Sequence, residues 1–567
     1  MKKIPYGISN FKLLKEEDYF FIDKTDYIPK LEAYGSRYLI FLRPRRFGKS
    51  LWIAILEAYY DLYFKDEFNT IFKDTYILNH KTKEASSYLV LRFDFSAIDI
   101  YDVEKSFRYV LQLKLESFVE RYNLDIKFKN DNPISMFNKI FDYILKRQLK
   151  LYILIDEYDN FANKLLLNNK EDYLNIVSKK TASFKQFFTT LKVGTSGNDA
   201  PIKRMFITGV TPMTMYDVTS GFNIGENISL NNRFHNLIGL NSDELDHTLK
   251  AFDIEDKVDI ALLQEWYNNY IFSEDSTEAI YNTDMILYFI NKFLSNYKLP
   301  REMIDINVRS DYSKLRTIIY TNKKLNGNFK TLQTLIGGET VSIANLVQDF
   351  SALNLQKENN FKSFMFYLGL VTIKDRQLKL NLKIPNETVK RIDIDFLIDA
   401  LELEKVFEIN IDKLSDLLAE FALHGDLEIF KYLAKMIKEN TGIRDYIYNE
   451  QTVKSMFLAY LSLTPYYVIK SENELNKGFA DILLKPFNPY VEFVGLLEFK
   501  YIKRGKKKPT QKEIDILVHK AQNQLDDYQK DELVQNYIEQ GLKLQKVVLV
   551  FWGWEMVYCY THKNGVA

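Results

Sequence analysis

One cysteine, Cys559, in 567 residues excludes intramolecular disulfides and any zinc site built from several cysteines. Six scattered histidines argue equally against a histidine-built metal centre. Net charge is absent too. Lys and Arg together number 76, as do Asp and Glu, so overall charge requires no nucleic-acid partner, and any such partner must meet a local patch. No apolar run approaches the roughly 18 residues that a membrane span needs. The opening Met1-Lys-Lys-Ile-Pro-Tyr6 has basic residues but no apolar stretch behind them, which does not read as a secretory signal. Prolines are few, 12 in all, and no low-complexity linker marks a boundary. What remains, 46% hydrophobic and 27% charged residues, is the composition of a folding chain whose length exceeds a single core. The expectation is a cytoplasmic protein of several domains with no membrane segment.

The most informative stretch is 38–50, Tyr-Leu-Ile-Phe-Leu-Arg-Pro-Arg-Arg-Phe-Gly-Lys-Ser. An apolar strand enters a short loop that closes on Gly48-Lys49-Ser50, the second half of a phosphate-binding loop. The pattern Gly-x-x-x-x-Gly-Lys-Ser/Thr would place a glycine at 43, where this chain has arginine. In such a loop Gly48 lets backbone N–H groups approach phosphate oxygens. Lys49 supplies a point charge and Ser50 a hydroxyl for Mg²⁺. Arg46, in the same loop, joins them as a candidate nucleotide contact. Leu51 to Tyr60 suits a helix whose N-terminus faces the anion. A chance Gly-Lys-Ser in a turn is the competing reading, so a second site is needed.

Leu151-Tyr-Ile-Leu-Ile-Asp156-Glu157 supplies it: a buried-strand pattern ending in two carboxylates. In a phosphate-loop ATPase, a strand beside the first ends in an aspartate that holds the metal shell. A neighbouring glutamate polarises the attacking water. Asp156 and Glu157 fit those roles. Segments 88–95 and 204–212 read as further strands of a parallel α/β sheet, whose ligands sit at the carboxyl ends. Thr208 and Thr211 fall near such an end, either as contacts to a γ-phosphate or the attacking water, or as local hydrogen-bonders.

Past residue 240 the pattern turns helical. Asn241-Ser-Asp-Glu-Leu-Asp-His-Thr-Leu begins as a capped amphipathic helix. Helical segments at 257–270 and 284–296, a hairpin near Leu370–Leu382 and a helix pair from Ile411 to about Lys438 complete the region. It carries no chemistry-bearing cluster.

The second chemical signal is C-terminal. Asp481 lies in Gly478-Phe-Ala-Asp-Ile-Leu-Leu, and Glu498 and Lys500 in Val494-Gly-Leu-Leu-Glu-Phe-Lys. Asp followed by a strand bearing Glu-x-Lys is the signature of Mg²⁺-dependent nucleases of the PD-(D/E)xK class. Side chains alternate along a strand, so Glu498 and Lys500 point the same way, with Asp481 on the neighbouring strand. Two carboxylates hold the metal and the lysine orients or deprotonates water. Helix 450–462, strand 466–470, strands 479–484 and 491–500, helix 511–529 and strand 547–552 give the order αβββαβ expected of the class. Glu450 or Glu472 is a possible further metal-shell carboxylate and Gln524 a phosphate-side group, against a solvated surface role for each. From Lys500 to Lys512, seven of thirteen residues are basic. Lys503, Arg504, Lys506, Lys507 and Lys508 form either a solvated loop or a track for a phosphate backbone.

Taken together, Arg43-Pro-Arg-Arg-Phe-Gly-Lys-Ser, Asp156-Glu157 and Ile207-Thr-Gly-Val-Thr-Pro resemble the AAA-ATPase-like family, commonly fused to a C-terminal PD-(D/E)xK nuclease-superfamily domain. The opening Ile8-Ser-Asn-Phe-Lys…Tyr19-Phe-Phe-Ile-Asp-Lys-Thr and the segment Leu237-Ile-Gly-Leu-Asn-Ser-Asp-Glu-Leu extend the resemblance. It implies ATP binding through Lys49 and Ser50, Mg²⁺ handling through Asp156, and a nuclease centre of Asp481, Glu498 and Lys500. An arginine at 43 is the family's usual form. Two departures stand out. Asn269 takes the place of a glycine, at low cost if the backbone is left-handed, and Ile271 the place of an arginine. Phe479 replaces an arginine beside the nuclease aspartate.

The fold class expected is therefore α/β. A phosphate-loop parallel-sheet domain over 1–240 precedes a helical lid or connector over 241–410 and a restriction-endonuclease-like αβββαβ domain over 411–567. The function expected is nucleotide-regulated, Mg²⁺-dependent cleavage of nucleic acid, DNA favoured, with ATP and Mg²⁺ as cofactors and a homo-oligomer possible. The alternatives are a nucleotide-gated binding module with an inert nuclease fold, and a nuclease whose N-terminal domain is only a scaffold.

Overall fold

The computed structural model describes residues 2–99, 102–129, 131–160, 182–197, 199–218, 223–308, 328–351, 354–355, 357–400, 410–439, 449–462, 466–475, 478–487, 489–505 and 507–561. The chain divides into two compact units, 1–321 with 343–386, and 322–342 with 387–567. The helices between 241 and 308 belong to the first.

The first unit is built on five strands: β1 Tyr38–Leu42, β2 Leu89–Asp94, β3 Leu151–Asp156, β4 Ile202–Gly209 and β5 Glu226–Asn227. Their order is β2-β3-β4-β1-β5 and every pairing is parallel. Parallel sheets are covered on both faces, so their strands read as unbroken apolar runs. All six residues of β3 are buried. The expectation that the acidic strand lies beside β1 is corrected here: β4 separates them. β3 is a continuous apolar run, whereas β4 carries Lys203 and Arg204 near its start, and nothing in either says which lies at the centre. The helix Lys49–Tyr60 buries Trp52, Ile53, Leu56, Tyr59 and Tyr60. Asn241 and Glu244 form a reciprocal capping box at the head of helix Ser242–Ala251, and the expected hairpin pairs Thr372–Arg376 with Leu380–Lys383. Asn269 takes φ 73°, the left-handed conformation expected of it. The neighbouring Ile271 N–H donates to Thr372 Oγ1 at 2.7 Å.

The second unit carries β6 Tyr467–Leu475, β7 Gly478–Pro486, β8 Phe493–Ile502, β9 Lys543–Trp552 and β10 Glu555–Thr561, in the order β10-β9-β8-β7-β6. Only β8 and β9 are parallel. Helix Glu450–Leu461 precedes the three-strand meander, and helix Gln511–Tyr528 makes the crossover to β9. That is the αβββαβ order read from sequence, with a short helix Glu532–Glu539 and the edge strand β10 added. The crossover helix lays Val518, Ala521 and Leu525 on Ala480, Leu483, Val494 and Leu496. Its start is fixed by a capping box between Thr510 and Glu513. Among the described residues no helix is long and apolar enough to cross a membrane.

Candidate active sites

In the first unit, β1 delivers the chain into the loop 43–48. Arg46 has φ 66° and Gly48 φ 105°, and only glycine takes the second without strain. Helix 49–60 then starts with no side-chain cap, leaving its first N–H groups directed at the loop. Lys49 is buried and donates to the carbonyls of Arg43 at 3.0 Å and Pro44 at 2.8 Å. Burial lowers its pKa to about 8, against the opposing pull of Glu157, Asp156 and Asp159.

Asp156 ends β3 opposite Asp94 in register. Burial raises its pKa, while a hydrogen bond from Ser50 works the other way. Its Oδ1 is buried with no hydrogen-bond partner. Glu157 follows at φ 50°, its pKa also raised by burial, and accepts from Asn160 Nδ2 at 2.5 Å. The loop thus meets Ser50, Asp156 and Glu157, as expected. The Ser50 hydroxyl and the unpartnered Asp156 oxygen are hard oxygen donors and suit a hydrated Mg²⁺.

Of these groups, Lys49, Ser50 and Glu157 line a cavity of about 650 Å³. The same cavity has an apolar lining that includes Ile8, Phe20, Ile22, Leu237, Ile238 and Leu240. Those residues come from the two flanking motifs of the sequence, which had no assigned role. Lys24 reaches the same wall. It is buried and donates to the Asn236 carbonyl at 3.0 Å, the Asn236 side chain at 3.0 Å and Glu244 Oε2 at 2.7 Å. Arg46 lines the cavity and pairs with Asp284 at 2.8 Å.

Thr208 does not reach the cavity. Its hydroxyl donates to Phe41 O at 2.9 Å inside the sheet. Thr211 is likewise held locally, by Asp159, whose carboxylate also accepts the N–H groups of Val210 and Thr211. A Cβ on Gly209 would come within 2.5 Å of that carboxylate. Asp159 was missed in the sequence because its partners, the Val210 and Thr211 N–H groups and the Thr211 hydroxyl, lie some fifty residues away, just past β4.

In the second unit, the β7–β8 ladder runs from Leu484–Gly495 to Ile482–Leu497. Immediately beyond, Phe499 N–H donates instead to Asp481 Oδ2 at 2.7 Å. Asp481 Oδ1 takes Lys454 Nζ at 3.1 Å, from helix 450–461. Lys500 Nζ donates to Glu498 Oε1 at 2.6 Å, so the two side chains share a face as alternation requires. Glu498 Oε2 is buried and unpartnered. Gln524 Nε2 donates at 3.4 Å to the Tyr528 hydroxyl, which donates to Phe479 O at 2.9 Å. The Asp481 and Glu498 charges raise the Tyr528 pKa, though less than its burial does.

The carboxylates therefore fit one hard cation, through Glu498 Oε2 and an Asp481 oxygen now facing a lysine. Among the described residues no group of three or more His, Cys, Asp or Glu is placed to hold a metal ion. Glu450 stands one helical turn before Lys454. The Glu472 side chain and Lys506 lie outside the described residues. In the basic loop Lys503, Lys507 and Lys508 are exposed. Arg504 is exposed too, but it pairs with Glu555 at 3.5 Å and its guanidinium lies 4.2 Å and 4.0 Å from the ring centroids of Trp552 and Trp554.

Lys454, invisible to motif reading, neutralises a buried carboxylate. Lys454→Met is expected to destabilise this unit by about 3–5 kcal/mol in urea unfolding, because it strands the Asp481 charge.

Burial, then the charge of Asp481, pushes Glu498 up to about 7 from 4.5, with Lys500 opposing. The folded chain thus binds this proton more tightly than the unfolded chain. The resulting stabilisation is complete below pH 4.5 and is lost as pH rises through about 7. In chelator, wild type should lose on the order of 3 kcal/mol relative to Glu498→Gln across that window. A pH-independent difference between the two unfolding curves would contradict this.

A phosphate loop at the head of a parallel sheet defines the first unit as an ATPase-type nucleotide domain. The Asp…Glu-x-Lys sheet defines the second as nuclease-like. Sequence comparison agrees. Residues 5–219 match the family model described as predicted AAA-ATPase, and residues 448–561 match the PD-(D/E)XK nuclease superfamily. The chain joins an AAA-ATPase-like domain to a PD-(D/E)XK nuclease-superfamily domain. A curated relative, the uncharacterized protein in the vnfD 5'region of Azotobacter chroococcum mcd 1, is 25% identical over 300 residues, 51% of this chain; the chain spans about half, 52%, of that relative's length. Among solved structures, the Aeropyrum pernix ORC2 protein in ADPNP–ADP complexes aligns at 12% identity over 67% of this chain and 92% of that one, TM-score 0.33. CDC6P from Pyrobaculum aerophilum aligns at 10% identity over 67% and 93%, TM-score 0.24.

Proposed function

We propose that the chain binds and hydrolyses ATP with Mg²⁺ in its first unit. Its second unit then cleaves nucleic acid, DNA by preference, in a metal-dependent reaction that nucleotide regulates in the cytoplasm. One observation carries the reading. Each unit holds a buried carboxylate oxygen without a partner, Asp156 Oδ1 and Glu498 Oε2, in a centre that also holds a lysine. Other buried polar atoms also lack a partner, both Asp393 oxygens among them; these two are set apart by the lysine and the second carboxylate beside them, and a cation would satisfy each.

In the first unit, Lys49 exchanges the loop carbonyls for the outer phosphates, and the helix N–H groups and Arg46 hold the remaining oxygens. Glu157 orients water, and the apolar end of the cavity takes the base. In the second unit, Lys500 holds Glu498 in place and faces the developing charge, while Lys503, Lys507 and Lys508 meet the phosphate backbone. A divalent cation bound there would supply Lewis acidity and a hydroxide nucleophile.

An inert nuclease fold that only holds nucleic acid is the second reading. It is favoured by Asp481, whose two oxygens are both engaged by Lys454 and Phe499. Incubating the full chain with single- and double-stranded DNA and RNA, with and without ATP and Mg²⁺, tests both. Cleavage that requires Mg²⁺ and changes with ATP supports the first reading. Binding without cleavage under every condition supports the second and overturns the first.

A further inference from the structure

Arg43 occupies the first glycine position of the phosphate-loop pattern, yet it does not line the cavity. Its guanidinium is buried. Nη1 donates to Leu42 O at 3.0 Å and to Ser229 O at 2.6 Å. Nη2 donates to Phe234 O at 3.2 Å and His235 O at 3.3 Å. The plane lies between two phenyl rings, 4.4 Å from the centroid of Phe41 and 4.4 Å from that of Phe272. Its own carbonyl is one of the two that hold Lys49 Nζ.

The segment gripped by this fork continues directly into the base end of the cavity. Asn236 receives Lys24, and Leu237 to Leu240 form the apolar wall. We propose that Arg43 is a positioning residue that bolts the base-end wall to the phosphate loop, so that the two ends of the nucleotide cavity are set by one side chain. This rests on the nucleotide reading above. A lysine cannot substitute, because a point donor cannot serve four carbonyls while stacked between two rings. A glycine, which restores the usual spacing, removes the bolt.

The role separates Arg43 from a phosphate ligand by what happens to a ligand that has no phosphate. The test measures ATP binding by calorimetry and adenosine binding by ligand-observed NMR, on the full chain. Lys49→Ala should lose ATP and keep adenosine. Arg43→Gly should lose both, with adenosine weakened by about tenfold or more. Arg43→Lys should behave as Arg43→Gly. Adding millimolar guanidinium chloride, but not sodium chloride, should restore part of the adenosine affinity of Arg43→Gly.

Arg43→Gly that binds adenosine normally overturns the inference, whether or not ATP binding is lost. Wild type that binds neither ligand overturns the nucleotide reading together with the inference, so the two failures are distinguishable. If Arg43→Gly does not fold, as judged by its melting curve, Phe272→Leu takes its place. That variant removes one ring and should weaken both ligands on a smaller scale; unchanged adenosine affinity there also overturns the inference.

Discussion

Replacing Lys49 with alanine is expected to weaken ATP binding by about a hundredfold or more, measured by calorimetry on the full chain. The ammonium is buried and held by the Arg43 and Pro44 carbonyls, with Glu157, Asp156 and Asp159 close enough to favour its charge. It is therefore pre-positioned as a cation in the loop that lines the cavity, where the proposed function seats the phosphates. Charge-assisted hydrogen bonds contribute roughly 1.5–3 kcal/mol each, and two of them amount to between about a hundredfold and about ten-thousandfold in affinity. The variant also loses the donor for two loop carbonyls, so Lys49→Met, which keeps more of the side-chain volume, is the better control for loop collapse. A second signature follows from burial, which lowers this lysine to about 8. The protonated form binds phosphate, so wild-type affinity should decline as pH rises through about 8, while the alanine variant stays flat. An alanine variant that retains wild-type affinity would return the loop to the status of an ordinary turn.

Glu498→Gln is expected to reduce nucleic-acid cleavage by about a thousandfold or more under single-turnover conditions, leaving ATP hydrolysis without nucleic acid unchanged. It is a sharper probe than Asp481→Ala. Removing the Asp481 carboxylate strands Lys454 as a buried cation, and the loss of activity is then confounded by loss of fold. Glutamine at 498 keeps the shape of the side chain and an oxygen for Lys500, but removes the charge a divalent cation needs. Cleavage that survives in Glu498→Gln would mean that the second unit's acidic pair is not the reacting centre.

The sequence made most of this legible where chemistry is local. Gly48-Lys49-Ser50, Asp156-Glu157 and Glu498-x-Lys500 each announce themselves within a few residues, because strand alternation and helix starts fix side-chain directions over that range. Strand order did not follow. The run 202–209 carries Lys203 and Arg204 and is less apolar than 151–156, yet packing places it in the middle of the sheet. Thr208 looked like a strand-end phosphate contact, yet its hydroxyl is consumed one strand away by Phe41. Arg504 looked like one more positive charge in a basic run, and is instead a packing element between two indoles that lie some fifty residues on. Lys454 and Asp159 gave no signal, since their partners, Asp481 and the Val210–Thr211 backbone, are distant in sequence.

The chain has four tryptophans, and their placement makes each unit optically addressable. Trp52 lines the nucleotide cavity and Trp266 is buried in the same unit. Trp552 and Trp554 sandwich the arginine of the basic loop in the other. Replacing Trp552 and Trp554 with phenylalanine leaves an emission spectrum that reports on the first unit, and adding Trp266→Phe narrows it to the cavity, whereas Trp52→Phe with Trp266→Phe leaves one that reports on the basic loop that follows Glu498 and Lys500. Titrating ATP into the second kind of protein then tests communication between the halves as a change of colour, with no label attached: a shift reports it, and an unmoved spectrum denies it.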